Sequence, residues 1–214
     1  MSQSIPAHVR HRSGTHPAYT AALVTGTSHE FMGRKALPRV LHRRPVILIL
    51  GPSGVGKTTV ARRLAGDTAL VLDTPQWQDA LVHRVRSGAW SRPVGQSETL
   101  IVDGPGYLEQ RPAAVQSLHE LVSERTAGGC RTLVCQNDCE GSLNPLMARL
   151  SPGAAAIVGL RFPKGQRGKL RFARRMCDAL QIERAAARGT ERIEPWCYDR
   201  VVAWLSAWPH NSDS

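Results

Sequence analysis

Residues 51–58 read Gly-Pro-Ser-Gly-Val-Gly-Lys-Thr and match the pattern G-x-x-x-x-G-K-[ST] without deviation. Closely spaced glycines let backbone N–H groups surround a polyphosphate, and a helix that begins near Lys57 directs its positive end at the same anion. At this spacing the Lys57 ammonium reaches the terminal phosphates and the Thr58 hydroxyl can ligate Mg²⁺. The segment therefore predicts a site for ATP and Mg²⁺, formed by Gly51, Pro52, Ser53, Gly54, Val55, Gly56, Lys57, Thr58 and Thr59.

Asp103 is the acid that fits beside this phosphate site. It follows the apolar run 99–102, so it would stand at the end of a buried strand, where it can reach the metal through a water or accept a hydrogen bond from Thr58. An acid in this place can also cap the following turn. We predict that Lys57 and Asp103 act on the phosphates as catalytic residues, and that Thr58 and Asp103 hold Mg²⁺.

Apolar strands and amphipathic helices alternate along the chain and would position these groups. The run 46–50 is apolar throughout and directly precedes the phosphate segment, which is typical of a strand buried on both faces. The sequence predicts further strands at 69–73, 99–103, 131–136 and 154–160, and helices from Lys57 and at 74–85, 111–125, 146–150, 170–180 and 195–208. Thr74 would cap the second helix. This alternation predicts an α/β fold with a mainly parallel, five-stranded sheet sandwiched by helices.

Composition excludes several classes of protein. The chain has 214 residues, 42% of them hydrophobic and 21% charged, which suits a folded core and argues against disorder or a fibrous repeat. No apolar run reaches the roughly 18–20 residues of a membrane helix, and the first residues lack the apolar stretch of a secretory signal. We therefore expect a cytoplasmic protein whose five cysteines, an odd number, are reduced thiols.

The net charge of +11 is concentrated at the two ends of the sequence. It is +6 over residues 1–50 and +5 over residues 151–214, against +2 over 51–100 and −2 over 101–150. Basic ends attract polyanions such as nucleic acid. An Arg-rich composition alone gives the same balance, since only four of the basic residues are Lys.

Three segments follow from these patterns. Residues 1–44 form a basic leader that we expect to be flexible, 45–182 the nucleotide-binding core, and 183–214 a C-terminal helical appendage. Five of the eight histidines lie in the leader, where a solvated tail is favoured over a metal site because no Cys or carboxylate cluster accompanies them. Three tryptophans at helical spacing would pack the last helix on the core or contact a partner: Trp196, Trp204 and Trp208.

Residues 100–138 resemble the ATPase core of the bacterial replication initiator DnaA, and the similarity of pattern extends over about residues 43–182. Tyr107-Leu108 matches the family's aromatic–Leu pair, and 117–121 matches the helix that follows it. Asn137-Asp138 stands where the family has its first sensor of nucleotide state. The resemblance implies an AAA+ P-loop fold in which the first motif is the Walker A segment and Asn137 belongs to the catalytic set.

Departures from the DnaA pattern bear on activity. The second acid of the family's metal-binding strand is replaced by Gly104, and Glu109 is too far along to substitute. Arg149 fits the first arginine of a later helix, but Gly153 stands where the arginine finger is expected. Only 32 residues follow residue 182, too few for the family's lid and DNA-reading domain. The resemblance thus implies an ATP-binding protein of replication initiation or its regulation, with a reduced or absent lid, weak or absent hydrolysis, and an initiator protein or a second copy as partner.

Two other functions remain open from the residues. A small-molecule kinase would use Asp73 as general base toward an acceptor hydroxyl and the basic stretch 161–175 as a lid over the phosphates. A nucleic-acid-binding module would use the same stretch against a phosphate backbone, since its only aromatics are Phe162 and Phe172. A solvated helix face with both aromatics in the core is the third interpretation of this stretch.

Overall fold

The computed structural model of the protein describes residues 22–26, 31, 41, 43–105, 112–137, 150, 154–193 and 197–207. The strands are β1 (Ala22–Gly26), β2 (Val46–Gly51), β3 (Leu70–Leu72), β4 (Thr99–Asp103), β5 (Arg131–Asn137) and β6 (Ala155–Leu160). The α-helices are α1 (Lys57–Ala65), α2 (Thr74–Ser87), α3 (Arg92–Gln96), α4 (Pro112–Ala127), α5 (Gly165–Leu180) and α6 (Tyr198–Ser206). Two 3₁₀ helices cover Arg184–Ala187 and Thr190–Arg192.

The six strands form one parallel sheet in the order β1-β6-β2-β5-β4-β3. The strand before the phosphate segment, β2, pairs with β6 on one side and with β5 on the other. β5 therefore separates β2 from β4, the strand that ends in Asp103. Because all strands run in the same direction, their carboxyl ends meet at one edge of the sheet, where ligands bind in folds of this class.

Alternate residues of the central strands pack on opposite faces of the sheet. Val46 and Leu48 belong to an apolar cluster with α2 and α4, whereas Ile47 and Ile49 belong to a second cluster with α1. All four side chains are fully buried, and each such burial stabilises the fold by about 1.5–3 kcal/mol. Helices on both faces explain why β2 is apolar throughout. The predicted α/β class with a helix-flanked parallel sheet is confirmed.

The edge strand β1 is the main departure from the predicted fold, because the sheet has six strands rather than five. Residues 22–26 lie in the segment 1–44, which we predicted to be a flexible leader, yet they pair with β6 from Ala22–Ala156 to Gly26–Leu160. So short a strand that pairs with a distant one leaves no periodic signal in the sequence. By pairing, it covers the N–H and C=O groups of the β6 edge. Phe31 and Leu41 of the same segment are fully buried, and most of its remainder lies outside the described residues.

Other element boundaries differ from the prediction by a few residues. β3 is shorter than the predicted 69–73, α5 begins at Gly165 rather than near residue 170, and α6 lies within the predicted 195–208. The helix predicted at 146–150 lies outside the described residues apart from its last position. None of the helices in the described ranges is both long and apolar enough to cross a membrane.

Helix α5, the two 3₁₀ helices and α6 form a third apolar cluster, which we call the C-terminal cluster. Its buried members are Phe172, Ala173, Cys177, Ala186, Ala187, Val201 and Leu205. Phe162, just after β6, packs against both this cluster and the α1 side of the sheet. Trp204 of α6 donates its indole N–H to the Ala186 carbonyl over 3.2 Å but remains 44% exposed. Trp196 and Trp208 lie outside the described residues.

Candidate nucleotide site

The phosphate segment forms the loop between β2 and α1. Val55 anchors the loop in the cluster on the α1 side of the sheet, whereas Pro52 and Ser53 are exposed. Gly51 lies so close to β6 that an added Cβ would stand 2.6 Å from a backbone carbonyl oxygen of that strand. Gly54 has a φ of +70°, a left-handed conformation that glycine adopts without steric cost. The shape of the loop therefore requires glycine at both positions.

Helix α1 begins directly at the end of this loop. Its N-cap residue is Gly56, which has no side chain to cap the helix. The N–H groups of the first turn, which includes Lys57, Thr58 and Thr59, have no partners within the helix. Such groups, together with the positive end of the helix dipole, are suited to bind phosphate oxygens. The loop and the helix start thus supply the backbone donors that the sequence predicted.

Lys57 is held at the centre of the site by three acceptors. Its ammonium donates to the carbonyl oxygens of Gly51 at 3.0 Å and Pro52 at 2.8 Å, and to Oδ1 of Asn137 at 2.9 Å. The last contact joins residues 80 positions apart, because β5 lies beside β2 with Asn137 in register with Gly51. The structure therefore brings together the lysine and the amide that the sequence analysis placed in one catalytic set.

Thr58 and Asp103 meet beside this lysine. The Thr58 hydroxyl donates to Oδ2 of Asp103 over 2.5 Å, although β4 is not a neighbour of β2 in the sheet. A hydroxyl and a carboxylate are hard oxygen donors, and Mg²⁺ is commonly bound by one or two such groups together with substrate phosphates. The donor set fits Mg²⁺, which would neutralise charge on the phosphate oxygens when it is bound.

The residue after Asp103 cannot carry an acid without distortion. Gly104 has a φ of +63°, and an added Cβ would lie 3.1 Å from Oγ1 of Thr74. The same Thr74 hydroxyl donates to the Gly104 carbonyl over 2.5 Å, and the Gly104 N–H donates to the Cys135 carbonyl over 3.0 Å. Backbone conformation and close packing thus both fit a glycine here.

Asp73 has a structural role in this structure. It is the N-cap of α2, so the prediction that Thr74 would cap this helix is wrong by one residue. One carboxylate oxygen of Asp73 accepts from the Gln76 N–H at 2.9 Å, and the Gln76 side chain accepts in return from the Asp73 N–H at 3.0 Å. This reciprocal capping accounts for an acid at the end of β3 without any substrate.

The C-terminal cluster reaches the phosphate loop through Cys197, a contact that no pattern in the sequence indicates. Cys197 is the N-cap of α6 and is half-buried. A Cβ added to Gly54 would lie 2.8 Å from the Cβ and 3.4 Å from the Sγ of Cys197. The start of α6 therefore packs directly on the loop that would hold the phosphates.

Several other residues that could do chemistry do not join this site. Cys135 is buried in β5, and burial, reinforced by the charge of Asp103, raises the pKa of its thiol, so it is unsuited to bind a metal. No three His, Cys, Asp or Glu side chains in the described ranges are grouped to hold a metal ion. The remaining positions lie outside the described residues: His8, His11, His16, Tyr107, Leu108, Glu109, Asp138, Cys139, Arg149 and Gly153.

Residues 46–137 match the sequence model of the AAA domain family, a match that covers less than half of the chain. It spans the strands from β2 to β5 and therefore the phosphate loop, Asp103 and Asn137. No curated protein matches the chain in sequence.

Solved structures of DnaA share the fold. Domain III of the replication initiation protein DnaA from Thermotoga maritima has a TM-score of 0.58 at 15% identity, over 81% of this chain and 84% of that one. DnaA bound to AMPPCP and single-stranded DNA has a TM-score of 0.60 at 11% identity, over 84% of this chain and 59% of that one. AMPPCP-bound DnaA from Aquifex aeolicus has a TM-score of 0.57 at 12% identity, over 76% of this chain and 54% of that one.

The chain thus spans little more than half of the two longer DnaA chains. At these identities the likeness concerns the fold alone. Residues 46–137 thus match the AAA domain family, the fold is similar to that of domain III of DnaA, and the resemblance predicted from residues 100–138 is confirmed at that level.

Proposed function

We propose that the protein binds ATP with Mg²⁺ and acts in the initiation of DNA replication or its regulation, with weak or absent hydrolysis. The observation that carries this proposal is the contact of Lys57 with Asn137 at the mouth of the phosphate loop. A bound terminal phosphate would accept the hydrogen bond that Lys57 donates to Asn137. The Asn137 amide could then face the same phosphate. Nucleotide binding at the end of β2 would thereby change the contacts of Asn137 at the end of β5.

Weak hydrolysis is supported by the surroundings of Gly104. Attack on a γ-phosphate requires a water positioned by a nearby residue, and the resemblance to DnaA implies an acid at this position for that task. Gly104 provides no acid, and its left-handed backbone and contact with Thr74 both favour glycine at this position. ATP would therefore act chiefly as a conformational ligand, whose bound state is read by another molecule.

The role in replication rests on the fold that the protein shares with DnaA, one structure of which is bound to single-stranded DNA. We propose a cytoplasmic protein that meets an initiator protein or a second copy of itself, and that contacts DNA without sequence specificity through its basic ends. Arg149 is the residue we assign to self-association.

A small-molecule kinase is the less supported alternative. Its proposed base, Asp73, is engaged in capping α2. Transfer of phosphate from ATP to a metabolite, lost in Lys57→Ala, would reverse this ranking.

Binding of ATP–Mg²⁺ to the purified full chain, measured by calorimetry, tests the proposal. We expect Lys57→Ala to weaken binding about 100-fold, since each charge-assisted hydrogen bond contributes about 1.5–3 kcal/mol. Arg86→Ala removes the same charge at the far end of α2 and should leave affinity unchanged. Failure of the unaltered protein to bind ATP at millimolar concentration would refute ATP binding, and rapid steady hydrolysis would refute the conformational role.

A further inference from the structure

Helix α5 has one strongly positive face, which we call the basic face. It consists of Lys164, Arg167, Arg171, Arg174 and Arg175, all of them exposed. With 3.6 residues per turn these five positions fall within a sector of about 100°. Phe172, Ala173 and Cys177 lie on the opposite side of the helix, buried in the C-terminal cluster. The cations therefore all point away from the core.

No acid among the described residues balances the charge of this face. The sequence holds no Asp or Glu between Arg161 and Cys177. The first acid to follow, Asp178, is engaged by the Arg184 guanidinium through two hydrogen bonds of 2.6 and 2.9 Å. These bonds lower the pKa of the Asp178 carboxyl. Within the part of the chain that the structure describes, no ion pair includes a residue of the basic face.

This arrangement is unfavourable to the helix itself. Arg167 and Arg171 are like charges four residues apart, as are Arg171 and Arg175, and such pairs destabilise a helix. Lys164 is the N-cap and the first turn holds no acid, so the cations there also oppose the helix dipole. A bound polyanion would relieve both effects. A face that contacts only solvent would instead be more stable with acidic residues among its cations.

We propose that the basic face binds the phosphate backbone of nucleic acid. At a rise of 1.5 Å per residue its cations extend over about 16 Å, and a duplex presents one phosphate charge per about 1.7 Å of its axis. The aromatics of this stretch are unsuited to base stacking, because Phe172 is buried in the C-terminal cluster and Phe162 packs in the core. Recognition is therefore of backbone charge rather than of sequence.

Nucleic acid fits this face better than an anionic membrane does. Membrane-surface helices place large apolar side chains beside their cations. The exposed large apolar side chains among the described residues are Val82, Val85 and Trp204, which lie on α2 and α6. The apolar side of α5 is already covered by the C-terminal cluster, so it has nothing to insert into lipid.

The test is binding of the full chain to a labelled mixed-sequence duplex and to a labelled oligo(dT), followed by anisotropy between about 50 and 200 mM salt. The variant carries Arg167→Gln, Arg171→Gln and Arg174→Gln. The control carries Arg62→Gln, Arg63→Gln and Arg86→Gln, which removes the same charge from α1 and α2. We expect the first variant to lose at least about tenfold in affinity and to flatten the slope of log affinity against log salt by about 2 to 3, while the control changes less than about threefold.

Equal losses in both variants would mean general attraction to a basic protein and would overturn the proposal, as would no loss in the first variant. Binding to phosphatidylserine vesicles that depends on the three arginines, with DNA binding unaltered, would also overturn it. Thermal unfolding separates these outcomes from misfolding, because the first variant should melt at or above the temperature of the unaltered chain. The proposal extends the suggested role at DNA without needing nucleotide, so Lys57→Ala should bind DNA as the unaltered protein does.

Discussion

The two ends of the sheet hold their cations in opposite ways. At the carboxyl end, Lys57 donates to two loop carbonyls and to the Asn137 amide and remains partly exposed. At the amino end, Arg125 of α4 is 1% exposed and its guanidinium donates five hydrogen bonds. Four of the five go to backbone carbonyls or the Thr132 hydroxyl, which the core holds in place. A lysine with replaceable partners can bind phosphate, whereas an arginine with fixed partners ties elements together.

Arg131 reinforces the fixed arrangement at the amino end. Its guanidinium donates to the Leu64 carbonyl at 2.8 Å and the Leu41 carbonyl at 2.5 Å. Burial lowers the pKa of both Arg125 and Arg131, but a guanidinium stays protonated in proteins. These two arginines thus connect α1, α4, β5 and the segment before β2 through hydrogen bonds to backbone carbonyls.

The largest effect should come from removing the buried arginine contacts at the amino end of the sheet. Arg125→Met removes the donors to the carbonyls of Val94, Ser97 and Arg131, together with the bond to the buried Thr132 hydroxyl. We expect the free energy of unfolding, measured in urea, to fall by about 3 kcal/mol or more. Arg63→Met, at an exposed position of α1, should change it by less than about 0.5 kcal/mol. Similar losses in the two variants would show that the buried hydrogen bonds contribute little.

A smaller effect should come from removing one partner of Lys57 at the carboxyl end of the sheet. Asn137→Ala removes a neutral acceptor from Lys57 and an amide from the phosphate site. We expect ATP affinity to fall about fivefold, ADP affinity to change little, and unfolding to be unaltered, since one neutral hydrogen bond contributes about 0.5–1.5 kcal/mol. Gln96→Ala, an exposed amide on α3, is the control for nucleotide titrations. An equal loss of ATP and ADP affinity would contradict a role for Asn137 at the terminal phosphate.

The smallest effect concerns Cys197, which packs on the phosphate loop at the carboxyl end of the sheet. Because its side chain packs on Gly54, a nucleotide that fills the loop should slow alkylation of the Cys197 thiol about threefold. Cys130, which is equally half-buried but lies before β5, should react at the same rate with and without ATP. Mass spectrometry of the labelled chain measures both rates. Protection of both thiols, or of neither, would argue against contact between α6 and the occupied loop.

The nucleotide site at the carboxyl end of the sheet was largely predictable from the sequence, whereas the contacts of Arg125 at the amino end were not. The phosphate segment and Asp103 each follow an apolar strand, so local spacing places them at one edge of a parallel sheet. The assignment of Asn137 to the same site as Lys57 followed from a family resemblance, whereas their contact needs β5 beside β2. Arg125 lies on a helix beside Glu124 and has the local pattern of a solvated residue. Its partners come from two other segments, residues 94–97 and 131–132, and no local pattern encodes them.

The same limit explains β1 and Cys197. The pairing of Ala22–Gly26 with β6 and the packing of α6 on the loop both join parts of the chain more than 100 residues apart. Such contacts are decided by which surfaces the finished sheet leaves uncovered, and neither hydrophobic period nor motif spacing records them. Sequence reasoning is therefore strongest where the site and its supporting strand are adjacent along the chain.

The turn at Gly104 has a consequence for how this site can change over generations. A carboxylate introduced at that position would be strained, because the backbone is left-handed and Thr74 would have to shift by a few tenths of an ångström. The strain would fall directly beside Asp103, at the end of the strand that carries it. A substitution toward a second acid would therefore begin at a cost in stability, which the geometry of the backbone sets.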